Sequence, residues 1–107
     1  MAYKVLGQLA AAATTEEALY AVPASSSTVV SSIVVTNRGS TAATYRLAVK
    51  PTAATTLANN HYIAYDVTIA GNDSVALTLG LTLAATNAIR TYASNANLTF
   101  SAFGSEN

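Results

Sequence analysis

Cysteine is absent from the chain, which excludes disulfides and thiolate metal sites. Its absence leaves the redox compartment open, because cysteine-free proteins occur in every compartment. Charge is the next scarcity: 9% of residues are charged, against ~25% in a typical soluble domain. The formal net charge is zero, which argues against a nucleic-acid binder, since such proteins usually carry a basic surplus. No stretch approaches the ~20 apolar residues that a membrane-spanning helix needs. The five glycines stand apart from one another, so there is no glycine-rich phosphate loop.

Ser, Thr and Asn take the place of charge, 33 residues in all, with 23 alanines beside them. A weakly charged surface is hard to keep soluble as a free monomer. It is easier to understand when neighbouring subunits cover much of it. At 107 residues the chain is expected to form one domain, within the usual range of roughly 50–250. It is long enough to bury about two-thirds of its unfolded surface around one core. Residues 1–13 read as mature sequence, because Gly7 and Gln8 interrupt the short apolar run that would otherwise resemble a leader. This segment is expected to be an N-terminal arm or an edge strand, with residues 10–13 ordered on docking.

Period-two alternation places successive side chains on opposite faces of a pleated strand. Within residues 44–50, Tyr45, Leu47 and Val49 alternate with Thr44, Arg46, Ala48 and Lys50. Within 61–70, Ile63, Tyr65, Val67 and Ile69 form an apolar row opposed by Tyr62, Ala64, Asp66 and Thr68. The strongest pattern spans 74–84, where Val75, Leu77, Leu79, Leu81 and Leu83 share a face. Gly80 in its middle marks a bulge or bend. Weaker strands are expected at 4–6, 19–22, 28–36, 88–93 and 98–103. Residues 29–35 are apolar on both faces, as befits a strand covered on both sides.

Turn-forming residues separate these runs: Pro23, Asn37 with Gly39, Gly71 with Asn72, and Asn95 with Asn97. The stretch around Asn37 and Gly39 reads as the turn of a hairpin, and Asn72-Asp73-Ser74 as the turn closing another. Thr14 and Glu17 stand at capping-box spacing, which leaves room for a helix of one turn. The expected fold is all-β: a single antiparallel β-sandwich, jelly-roll or immunoglobulin-like, spanning 1–107. It should contain about seven to nine short strands and at most one short helical turn.

The chain offers little to catalysis. Enzymes need a positioned acid, base or nucleophile, and here there is one histidine and five carboxylates. If Asp66 lies on the same strand as His61, the two fall on opposite faces, ~16 Å apart. No enzyme activity is therefore expected, and no cofactor. Zinc and calcium need several clustered ligands, and Asn72-Asp73-Ser74 matches no such pattern. Six tyrosines suit a carbohydrate or protein interface, although Tyr45 and Tyr65 alternate in phase with core residues.

Arg38, in the turn, and Arg46 and Lys50, on a polar strand face, form a small basic group on a nearly neutral chain. Arginine is enriched at interfaces because its planar fork binds carboxylates bidentately. The longest unpatterned link, 51–60, is uncharged, and long loops often carry binding. Leu57 and Asn59 in that link, and His61 just beyond it, join Arg38, Arg46 and Lys50 as candidate interface residues.

The opening "MAYKVLGQ", a "VPA…VVSSIVV.N" strand, the "AYDVTI..NDS" segment and a closing "FSAFG" strand together carry a family resemblance over nearly the whole chain. The sequence resembles small virion-associated structural proteins of tailed bacteriophages, including those of cyanobacteria. The resemblance implies a capsid decoration or cement protein on the outer surface of the head, bridging capsomers of the major capsid protein. It would act as a homo-oligomer, a dimer or trimer, with neither nucleic acid nor membrane as partner. A tail, neck or baseplate module is the alternative, and a carbohydrate-binding sandwich using the 51–62 link is a second one.

Overall fold

The computed structural model describes residues 2–52 and 56–107, so Ala53, Ala54 and Thr55 of the long link lie outside the described residues. The alternation becomes nine strands among them: β1 (Ala2–Ala10), β2 (Glu16–Ala21), β3 (Thr28–Asn37), β4 (Ala43–Lys50), β5 (Tyr62–Ile69), β6 (Asp73–Leu77), β7 (Leu81–Leu83), β8 (Ala88–Ala93) and β9 (Leu98–Glu106). They form two antiparallel sheets. One is ordered β1-β9-β3-β6, with β7 also pairing β3; the other is ordered β2-β8-β4-β5. Every link between successive strands changes sheet, except β4 to β5 and β6 to β7. Such winding of one long antiparallel ribbon is a jelly roll. The immunoglobulin alternative, with its A-B-E-D and C-F-G sheets, is a different order.

This winding corrects the two expected hairpins. β3 and β4 belong to opposite sheets, so the Asn37–Gly39 turn carries the chain across the sandwich. Asn37 organises that crossing. Its buried Nδ2 donates to the Thr41 carbonyl at 2.8 Å, and its Oδ1 accepts from the Gly39 N–H at 3.0 Å. The turn at Asn72 likewise joins β5 in one sheet to β6 in the other.

The capping-box helix is not formed either. Thr14 has a positive φ of 51°, and Glu16 and Glu17 begin β2. Glu17 does cap a backbone N–H, that of Ala12 at 2.8 Å, but it braces a corner between strands. The single 3-10 turn among the described residues is Asn59–His61, just before β5. Residues 10–13 form the corner between β1 and β2, with Ala11 buried and its N–H bonded to the Leu98 carbonyl. β1 itself is an edge strand of its sheet.

Two breaks in register change which residues face inward. Residues 78–80 leave the ladder opposite Ser31 and Ser32, since Leu77 pairs with Ile33 and Leu81 with Val30. Gly80 takes the left-handed φ of 61° that this detour requires. Leu79, expected in the apolar row, is 41% exposed. In β5, Asp66 has φ 52°, and the pairing jumps from Tyr45↔Val67 to Leu47↔Ala64. The bulge reverses the phase expected for this strand: Ala64 packs on the core, while Ile63 and Tyr65 point to solvent. Val67 is exposed as well. β5 pairs only with β4, and edge strands accommodate such bulges.

The core lies between the sheets. Val30, Ile33 and Val35 of β3 and Phe100 of β9 meet Tyr45 and Leu47 of β4 and Ile89 of β8, all fully or nearly fully buried. Tyr45 and Phe100 join the two sheets edge-to-face, with centroids 6.3 Å apart. One end of the sandwich is closed by a polar chain. Lys4 Nζ lies 2.5 Å from Glu106 Oε1, and the Tyr20 hydroxyl donates to Glu106 Oε2 at 2.8 Å. That donation uses the only phenolic proton, so Thr28 Oγ1 donates to the Tyr20 oxygen.

Candidate functional site

The core occupies the inner faces, so the two outer faces decide what this molecule can touch. On the five-stranded sheet the outward cross-strand rows follow from the register. One row is Tyr3, Ser105, Val29 and Thr82; the next is Val5, Phe103 and Ser32. Beyond them come Gln8, Ser101, Val34 and Ala76, then Ala10, Thr99, Thr36 and Ser74. None of these side chains is charged. Tyr3, 90% exposed, and Val5 stand out from the edge of this face.

The four-stranded sheet collects charge on its outer face. Its rows are Glu16, Tyr92 and Arg46, and then Ala18, Arg90, Ala48 and Tyr62. Arg46 meets Asp66 through two hydrogen bonds, Nε to Oδ1 at 2.6 Å and Nη2 to Oδ2 at 3.3 Å. Its guanidinium is stacked between Tyr65 and Tyr92, 4.2 Å and 4.4 Å from their ring centroids. Hydrogen bonding to Asp66 holds the Arg46 guanidinium above its ordinary pKa. Arg90 forms a second ion pair, with Glu16. The Tyr62 and Tyr65 rings stand edge-to-face at 4.9 Å.

A cleft of about 270 Å³ opens over Ala48, lined by Arg46, Tyr92, Arg90, Glu16, Tyr62 and Leu57 among others. Ala48 creates it: a methyl group sits where its row neighbours are Arg90 and Tyr62. A shallower hollow beside it is lined by Asn59, Tyr62 and Tyr65, so Tyr62 is a wall shared by both.

The structure gathers only some of the residues singled out from sequence. Arg46 and Leu57 line the cleft, and Asn59 lines the hollow. Lys50 closes β4 on the same sheet. Arg38 is elsewhere, in the crossing after β3, where its N–H bonds the Asn97 carbonyl and its Nη2 the Ala96 carbonyl. His61 turns back on its own 3-10 turn, its Nδ1 accepting from the Ala58 N–H at 3.0 Å. Asp66 is engaged by Arg46, so the two are held by different partners. No group of three or more His, Asp or Glu side chains that could hold a metal ion occurs among the described residues.

Tyr65 corrects the sequence reading: it is 55% exposed and packs on Arg46 outside the core. Glu16, Arg90 and Tyr92 were not anticipated. Their one sequence signal is the outward phase of Arg90 and Tyr92 against inward Ile89, Thr91 and Ala93. No family model, curated protein or solved structure matches this chain.

Proposed function

We propose that this protein is a non-catalytic structural subunit of a tailed-bacteriophage particle. Within that class, we infer a decoration or cement protein that docks on the outer surface of the head, against the major capsid protein. The sequence resemblance names the class. One structural observation supports docking: the outer face of the five-stranded sheet carries no charge across four cross-strand rows. Charged groups are depleted in the cores of protein interfaces, because burying an ion costs several kcal/mol, on the order set by its lost hydration. A face of Ser, Thr, Val and Ala is covered at little such cost. Many modest contacts of this kind, repeated over a symmetric shell, add through avidity.

This reading moves docking away from Arg38 and Arg46 and onto β1, β9 and β3. Jelly rolls serve both viral capsids and lectins, so the fold supports the class only by analogy. Quantitative mass spectrometry of purified particles provides the test. A cement protein appears at hundreds of copies per head, whereas a tail, neck or baseplate module appears as a handful. Val34→Lys combined with Ser101→Lys should abolish assembly onto heads that lack the protein, with the fold intact by circular dichroism. Wild-type occupancy by that double variant would refute the docking face.

A further inference from the structure

We propose that the cleft over Ala48, on the outer face of the four-stranded sheet, binds one ring of a neutral saccharide, with the adjoining hollow receiving its neighbour. The site is on the sheet opposite the proposed docking face, so either proposal can fail without the other.

The argument begins with size. Ligand clefts commonly enclose about 300–1,000 Å³. At about 270 Å³ this one is the size of a single small ring, and the adjoining hollow of about 480 Å³ leaves room for a second. Its walls combine two kinds of surface that few ligands match together. Tyr62 and Tyr92 offer aromatic carbon, while Arg90 and Glu16 offer donors and acceptors side by side. Arg90 Nε is committed to Glu16 Oε2, but a guanidinium has five N–H donors and a carboxylate about four acceptor sites. Both groups therefore keep capacity for a ligand. A sugar hydroxyl donates and accepts at once, and vicinal hydroxyls span such a pair. The C–H face of a pyranose ring meanwhile packs on tyrosine.

Charge excludes the competing classes. Arg46 and Arg90 are each neutralised by a carboxylate, Asp66 and Glu16. A phosphate or carboxylate ligand would have to displace those partners or lie against them. A purely apolar ligand would strip water from two ion pairs and return no hydrogen bonds, which is costly. Arg46 stacks on the Tyr92 ring and Arg90 is bonded to Glu16, so both kinds of wall have their partners before any ligand arrives, which reduces the ordering cost of binding.

The full chain would be screened on an array of neutral and acidic glycans, and the strongest neutral disaccharide then titrated by calorimetry. Binding to neutral glycans is expected. Removing an aromatic wall in Tyr62→Ala or the polar pair in Arg90→Gln should weaken it about tenfold or more. Ala48→Leu, which fills the cleft floor and removes no ligand contact, should abolish it. Circular dichroism would establish folding, and Arg90→Gln, a rim substitution, keeps the test open if Tyr62→Ala does not fold. Binding confined to acidic glycans, no binding at millimolar saccharide, or parental affinity retained by Arg90→Gln or Ala48→Leu would each overturn the proposal.

Discussion

Arg46 and Asp66 form a two-pronged ion pair across β4 and β5, at 2.6 Å and 3.3 Å; Asp66 stands where the Tyr45↔Val67 register places a partner for Arg46, and its own backbone is left-handed. The positive φ of Asp66 (52°) makes the bulge that swings β5 out of phase. The same residue therefore exposes Tyr65 and anchors the arginine on which Tyr65 stacks.

Asp66→Asn should cost little. Asn tolerates the left-handed region, and an exposed ion pair contributes about 0–1 kcal/mol. Asp66→Val should cost about 1–2 kcal/mol more, the penalty of a branched side chain at that φ. Urea denaturation of the two variants measures the difference, and equal stabilities would show that the bulge relaxes without loss.

Two glycines should respond differently to a methyl group. A Cβ on Gly104 would lie 2.0 Å from the Val29 carbonyl oxygen, in the ladder between β9 and β3, so the strands must part. Gly104→Ala is expected to cost about 3 kcal/mol or more. Gly80 has open space around its Cβ position, and Gly80→Ala should cost only about 1–2 kcal/mol for its φ. Thermal unfolding ranks the two.

Phe100 is completely buried against Tyr45. Phe100→Ala leaves a cavity between the sheets and should lower stability by about 3–5 kcal/mol. Chemical denaturation at neutral pH checks this, and an unfolded variant would be the extreme of the same result.

Stability should fall in acid partly through Glu106. Hydrogen bonds from Lys4 and then Tyr20 hold its carboxyl below the ordinary 4.5. A depressed folded value means that the contribution is complete above the unfolded value and disappears as pH drops through the folded one. Glu106→Gln should therefore be less stable than the parent at neutral pH, and the gap should narrow as pH falls below the ordinary 4.5. Melting temperatures of both proteins across that range test the sign. Tyr20→Phe removes one of the two stabilising donors and should shift the parent's acid limb upward.

Much of the sandwich was legible in residue order. Alternation located β4 to within a residue and identified β8 as well, because a strand half-buried against a core must repeat every second residue. The candidate site was less legible. Arg46 stood out as a rare charge on a polar strand face, but the other residues of its site are remote in the chain: Glu16 and Arg90 line the same cleft, and Tyr92 is brought to Arg46 only by the pairing of β8 with β4. Tyr65 was misplaced because one positive-φ residue reverses parity, and nothing in an Asp among β-formers announces that.

The sequence by itself determined an all-β chain, its nearly neutral charge and the apolar rows that make a core, since these depend on composition and on local period. Only the tertiary structure decided that most successive strands alternate between sheets and that, among the described residues, four cross-strand rows of one outer face carry no charge. The same holds for the paired arginines that wall a cleft on the other face. Those features come from strand order and register, which are set by contacts between distant segments, and no local pattern encodes which strand will lie beside which.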